Sequence, residues 1–336
     1  MTLNFWQKLK KRNQVIPSAK LKRPILALAP LAGFTDSAFR QICRQCGADV
    51  VYSEMASAAA LFYHELSGSK NKSDNNPTLK LLKFNPKLEK YYVVQLFGSN
   101  PEHFAAAARI VTNKIKPDGL DLNFGCPVPK IIKQGAGAGL MKNLKNSRAV
   151  IEAVLANTNL PVSIKIRTKS GAVSALEFLD NINDLPVAAV MIHGRNLSQG
   201  FSGQVDWSLI KAARRHFSGI ILANGGINNL IIARHALKVS GADGLGLARG
   251  ALGRPWLFKE IKNNIEINKN STAVFKIALK HAGLVEKLKG NIGIIELRKH
   301  LVWYTLGLPQ AAHLRAQLVK CNNLADIQKV LFPIKN

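Results

Sequence analysis

The chain has 336 residues, 47% of them hydrophobic, and carries 47 Lys and Arg against 20 Asp and Glu, a formal net charge of +27. Four cysteines are too few for a disulfide framework and fit a reducing compartment, and no apolar run reaches the about 20 residues needed to cross a bilayer. So large a basic excess selects a polyanionic partner, nucleic acid first and an anionic membrane surface second.

The N-terminal stretch 1–23 holds seven basic residues and no acid. It lacks the apolar core of a signal peptide, so a cytoplasmic location is expected. Eight short apolar runs then follow in order: ILALAP (25–30), DVVYSE (49–54), YYVVQLFG (91–98), DGLDLNFG (118–125), PVSIKIR (161–167), AAVMIHGR (188–195), GIILANGG (219–226) and ADGLGLARG (242–250). Near-continuous apolar runs read as strands buried on both faces of a parallel sheet. Helical patterns lie between them. Asn100 and Pro101 open one as N-cap and first helical residue, 174–183 carries another, and 229–241 ends a third at Gly241. Eight strand–helix units point to a (β/α)8 TIM barrel of about 250 residues, with a doubly wound open sheet as the structural alternative. GAGAGL and GLGLARG both miss the G-x-G-x-x-G spacing of a dinucleotide turn.

Beyond residue 262 no strand pattern remains. The stretches 275–290, 293–307 and 309–332 read as amphipathic helices, and residues 256–336 hold 13 Lys/Arg and 5 Asp/Glu, a net of +8. The organisation expected is a basic N-terminal segment (1–23), a barrel domain (24–261) and a small all-helical C-terminal domain (262–336).

In such a barrel the chemistry sits at the C-terminal strand ends. Those ends supply Pro30, Leu31 and Ala32; Gln95; Asn123 leading to Cys126; Lys165 and Arg167; His193; Asn224, Gly225 and Gly226; and Ala248 with Arg249. Glycine-rich turns after the last two strands suit a phosphate, which backbone N–H groups attract and Arg249 can hold bidentately. A phosphate there with Lys165 and Gln95 nearby fits flavin mononucleotide (FMN), whose reduced, anionic ring a cation stabilises. Lys165 also has the chemistry of a Schiff-base lysine, which requires a desolvated amine. His193 reads equally as a proton donor and as a structural hydrogen-bonder, and better as a neutral cofactor contact.

The segments LAPLAGFTDSAFR, QLFGSNPEHFAAAARIV, DLNFGCPVPK, IKIR, IHGR, ANGGI and GLARGALGRPWLF together resemble the tRNA-dihydrouridine synthases. LRKHLVWYTLGLPQAAHLR resembles the helical RNA-binding domain of the bacterial B-type subgroup. The resemblance runs from about residue 20 to 320, and its most specific element is N-F-G-C-P-x-x-K in register with the rest. It implies an oxidoreductase acting on a CH–CH bond: reduction of the C5–C6 double bond of a uridine in tRNA, with hydride from reduced flavin reaching C6. Cys126 would protonate C5, and NADPH would re-reduce the flavin. A thiol with a reference pKa near 8.5 is mostly protonated yet able to give up its proton. By the same resemblance Asn123, Lys165 and Arg167 would touch the substrate. Pro30 to Ala32, Gln95, Lys165, His193, Asn224 to Gly226, Ala248 and Arg249 would hold FMN. The partner would be tRNA, with no membrane and no metal, and the protein a monomer. Three positions depart from the family: Leu31 where Met is frequent, Gly226 where N-G-D is frequent, and Ala248 where Gly precedes the Arg. A flavin reductase of a free pyrimidine, in the style of dihydroorotate dehydrogenase, and a non-catalytic RNA-binding barrel are the alternative readings.

Cys43 and Cys46 form a C-x-x-C late in a helical stretch, with no second cysteine pair to complete a zinc site. Trp303 and Tyr304, beside Arg298, Lys299 and His300, suit RNA stacking or contact, with helical core the preferred role for Trp303.

Overall fold

In the computed structural model, which describes residues 3–12, 23–67 and 76–333, eight parallel strands close into a barrel. They are β1 (Ile25–Leu28), β2 (Val50–Ser57), β3 (Tyr92–Phe97), β4 (Gly119–Asn123), β5 (Val162–Arg167), β8 (Ala189–His193), β9 (Ile220–Asn224) and β10 (Gly244–Leu247); β6 (Lys169–Ser170) and β7 (Val173–Ser174) form a small antiparallel hairpin outside it. Every apolar run read from the sequence becomes a barrel strand. Closure comes from β10 pairing with β1, Ile25 with Gly244 through Leu28 with Leu247, which excludes the open doubly wound sheet.

Side chains alternate between the barrel interior and the helical layer. Leu120 and Leu122 of β4 and Ile164 and Ile166 of β5 pack outward into the main core. The opposite parity, Asp121 and Asn123 on β4 and Ser163, Lys165 and Arg167 on β5, therefore faces inward. Apolar inward residues such as Ala27, Val93 and Leu222 fill the lower barrel. Polar ones crowd the C-terminal end.

The helices form where capping chemistry permits. Asn100 accepts from the amide of Glu102 ahead of the helix Pro101–Ile110. Asn229 caps Leu230–Ser240, which ends at Gly241 with φ 59°.

The N-terminal segment departs from its reading as simply basic. Phe5–Arg12 is an amphipathic helix whose Phe5, Trp6 and Leu9 are buried among the interior residues of β1, β2, β3, β8 and β9. It closes the floor of the barrel, opposite the C-terminal ends of the strands, with Phe5 lying against Gly119 at the start of β4. Its basic residues face outward, and Arg12 pairs with Asp49 at 2.9 Å. The remaining basic positions expected at Lys20 and Lys22 lie outside the described residues.

After β10 the chain is helical. Ser271–Tyr304 bends at Gly290 (φ 63°, ψ −157°), a conformation that glycine alone adopts readily. Ala311–Leu318 and Leu324–Leu331 fold back on it. These helices enclose a second core containing Ala278, Val285, Leu297, Leu301, Leu318 and Ile327. Lys289 pairs with Asp36 at 2.8 Å, and the His300 ring meets the Phe34 carbonyl at 3.2 Å, so the helices are tied to the loop after β1. Cys43 is buried in the helix Ser37–Gln45, and burial raises both its pKa and that of Cys46. No cluster of three metal-ligating residues occurs among the described residues. Cys321 is buried in the second core.

Candidate active site

A cavity of about 580 Å³ opens at the C-terminal end of the barrel. Its wall contains every residue the sequence singled out: Pro30, Leu31, Ala32, Gln95, Asn123, Cys126, Lys165, Arg167, His193, Asn224, Gly225, Gly226, Ala248 and Arg249. Register explains the convergence. Gln95 lies beside Asp121, Asn123 beside Lys165, Arg167 beside His193, and His193 beside Asn224. A separate concavity of about 620 Å³ between Leu79, Phe84 and Ile115 contains none of these residues.

Cys126 follows β4 in an irregular loop. Asn123 anchors that loop, its Oδ1 accepting from the amides of Gly125 (3.1 Å) and Cys126 (2.9 Å), while its Nδ2 donates to Gln95 Oε1 (2.9 Å). Pro127 and Pro129 flank the loop's exit. Burial raises the Cys126 pKa, opposed by the Val128 amide and by Arg167 and Lys165. Burial thus favours the thiol form, and Arg167 and Lys165 are the two cations whose fields favour the thiolate.

Lys165 is a perturbed cation. Burial and then the neighbouring Arg167 lower its pKa from 10.5 to about 8, against the opposing pull of Asp121. Arg167 is largely committed as a strut, its Nε donating to the Gly125 carbonyl at 2.8 Å and its Nη1 to the Asn196 and Gly200 carbonyls at 3.0 Å each. It thus ties the cysteine loop to the loop after β8. His193 is held neutral: burial, followed by the fields of Lys165, Arg167, Arg195 and Arg249, lowers its pKa to about 2. It can donate or accept a hydrogen bond but not act as a cation.

The glycine turns at the far side have the backbone freedom an anion site needs. Gly225 has φ 120°, and a Cβ there would sit 2.7 Å from the His193 ring. Gly226 has φ 65°, so glycine suits the position where the resembling family often has aspartate. Asn224 is fixed by donating to the Gly246 carbonyl at 2.7 Å. Arg249 lies over the Phe201 ring at 4.5 Å.

Met55, Phe34 and Phe201 line the cavity and escaped the sequence reading; Trp303, read as an RNA-stacking or core residue, lines it too. Trp303 comes from the long C-terminal helix, so it contributes to the site as well as packing against the barrel core. Tyr304, read only as an RNA contact, is instead buried in the second core, its hydroxyl 3.3 Å from His281 Nδ1. Asp121 was also missed, although inward parity on β4 is a signal that could have found it.

A closed parallel barrel, with a cavity at its C-terminal face lined by the Cys126 thiol, a lysine of lowered pKa and the glycine turn after β9, defines the class: a (β/α)8 barrel with its pocket at the strand ends. Residues 27–334 match the family model described as dihydrouridine synthase (Dus), and the chain belongs to that family. It is 33% identical over 318 residues to tRNA-dihydrouridine synthase B of Pseudomonas syringae pv. tomato, covering 90% of this chain and 88% of that protein. It is 32% identical over 312 residues to the probable tRNA-dihydrouridine synthase 1 of Synechocystis sp., covering 90% and 84%. Among solved structures, histamine dehydrogenase from Rhizobium sp. 4-9 superposes with a TM-score of 0.54 at 12% identity over 77% of this chain, which spans about half (49%) of that one. TcOYE solved with pHBA superposes with a TM-score of 0.51 at 9% identity, covering 73% of this chain and 90% of that one. These two likenesses concern the barrel fold.

Proposed function

We propose that this chain is an FMN-dependent tRNA-dihydrouridine synthase that uses NADPH as reductant, with Cys126 as the proton donor to C5 of the target uridine. The observation that carries the reading is the position of Cys126 on the wall of the cavity that Lys165 and Arg167 also line, in a loop pinned by Asn123. When bound, the flavin would supply the hydride. Lys165 would stabilise negative charge on the reduced ring. Gln95 and neutral His193 would offer it hydrogen bonds, Pro30 to Ala32 would pack against it, and Asn224 to Gly226 with Ala248 and Arg249 would hold its phosphate. Asn123 holds the acid loop for the uracil, and Arg167 keeps Nη2 for it, its other nitrogens being bonded to carbonyls.

The uridine must leave its stack to enter the cavity, at a cost of a few kcal/mol that a tRNA loop reduces. The net charge of +27 supports a polyanionic substrate over a free pyrimidine. We assign tRNA contact to the basic C-terminal helical domain, residues 262–336, and chemistry to the barrel, residues 24–261. Trp303 on the cavity wall and Lys299 above the Phe34 ring, at 5.4 Å, support a substrate path along the seam between them.

The test is tRNA nucleoside mass spectrometry on cells with and without the gene, with Cys126→Ala as complement. Loss of dihydrouridine at a mapped position, restored by the wild-type chain alone, is expected. In purified enzyme Cys126→Ala should keep flavin and lose about 10²- to 10⁴-fold in rate. Full dihydrouridine formation by that variant would remove the thiol from the reaction.

A further inference from the structure

The strand-end residues leave one buried acid unexplained. Asp121 is wholly inaccessible on the inward face of β4. Its Oδ1 accepts from Ser163 Oγ at 2.6 Å and its Oδ2 from Gln95 Nε2 at 2.7 Å. Gln95 Oε1 accepts from Asn123 Nδ2, and Asn123 Oδ1 accepts from the Cys126 amide. These bonds form an unbroken chain from the barrel interior to the backbone of the thiol loop.

The chain has a direction, and only its two ends set it. A side-chain amide has one donor end and one acceptor end, so Gln95 and Asn123 by themselves fit either way round. At the loop end the Cys126 amide can only donate, which demands the Asn123 oxygen. At the inner end an ionised carboxylate can only accept, which demands the Gln95 nitrogen. Reversing Gln95 would set its carbonyl oxygen against Asp121 and its nitrogen against the Asn123 nitrogen. We propose that Asp121 is a positioning residue, which fixes the sense of the Gln95 and Asn123 amides and so holds the Cys126 loop in its working place.

The groups facing Asp121 are Ser163 and Lys165 on β5, Gln95 on β3 and the Tyr52 hydroxyl on β2. The Ser163 hydroxyl has a second acceptor, the Leu120 carbonyl at 3.2 Å. If Asp121 takes a proton on Oδ1, Ser163 can accept it and turn its own hydrogen to Leu120, leaving Oδ2 as acceptor for Gln95. The chain therefore depends on an acceptor at Oδ2, not on the negative charge. An asparagine can serve by giving its Nδ2 to Ser163 and its oxygen to Gln95; a leucine cannot.

That the held loop serves proton donation rests on the reading above, but its placement is measurable without cofactor or tRNA. The experiment is peptide-resolved alkylation of Cys126 by iodoacetamide in the purified full-length chain stripped of flavin, with melting curves run in parallel. Asp121→Leu should raise the Cys126 rate at least about five-fold, while Asp121→Asn stays within about two-fold of wild type. Equal rates in all three proteins would overturn the proposal, as would equal acceleration by Asn and Leu. If Asp121→Leu does not fold, Gln95→Met takes its place: acceleration is expected, and a wild-type rate overturns the proposal. Failure of the tRNA reading would leave these rates untouched and appear as absence of dihydrouridine activity in the wild-type enzyme.

Discussion

Lys165→Met should make the flavin-free protein more stable and a poorer flavin binder. The lysine sits in the barrel with its pKa lowered from 10.5 to about 8, chiefly by burial and by Arg167. That difference corresponds to about 3 kcal/mol by which the charged amine opposes folding at neutral pH. Methionine keeps most of the chain length and removes the charge. The gain is partly offset, because Asp121, whose pKa burial has already raised to about 6, loses the cation that favours its ionised form. A net gain of about 1–2 kcal/mol is expected, a rise in melting temperature of roughly 1–3 °C for a chain of this size. The pH dependence carries the sign. Between about 8 and 10.5 the unfolded lysine holds its proton while the folded one releases it, so the stability of the wild-type protein rises with pH across that window. The advantage of Lys165→Met should be fully present below pH 8 and fade towards pH 10.5. Melting curves of the flavin-free proteins at several pH values, with flavin titration alongside, read both effects. A variant that melts below wild type at pH 7, or an advantage that does not shrink as pH rises, would refute the account of Lys165 as a desolvated cation maintained for its ligand.

Three further outcomes follow from other contacts. Arg40 and Glu89 are both fully buried and paired at 2.5 Å, with Arg40 also donating to the Thr35 and Lys83 carbonyls. Arg40→Met strands the carboxylate and should cost about 3–5 kcal/mol in denaturant unfolding; a loss under about 1 kcal/mol would mean that the pair is not buried in solution. Gly225→Ala forces a Cβ to within 2.7 Å of the His193 ring at φ 120° and should weaken flavin binding in a fluorescence titration, with the fold preserved by circular dichroism. Binding of tRNA should weaken steeply between about 50 and 200 mM salt; a flat response in a filter-binding assay would detach the +27 charge from substrate recognition.

The sequence by itself determined the order of the eight strands along the chain and the set of residues at their C-terminal ends. Buried parallel strands write themselves as near-continuous apolar runs, and a fixed alternation then says that Gln95, Asn123, Lys165 and His193 share one face. It also carried Cys126, whose meaning came from a long in-register motif rather than from the thiol alone. Tertiary structure decided what strand-local reading has no access to. Closure depended on β10 meeting β1, a pairing between segments more than 200 residues apart in the chain. The helix Phe5–Arg12 looked only basic because three buried apolar residues in so short a segment give little periodicity, and the barrel floor they fill exists only once the strands are assembled. Trp303 reaches the cavity because the long C-terminal helix packs against the loop after β1. Arg167 became a strut because carbonyls of two separate loops converge on it. Asp121 became the end of a directed chain of amides because β3, β4 and β5 bring Gln95, Asn123 and Ser163 within hydrogen-bond reach, and hydrogen-bond direction is a property of neighbours in space, which the order of residues does not record.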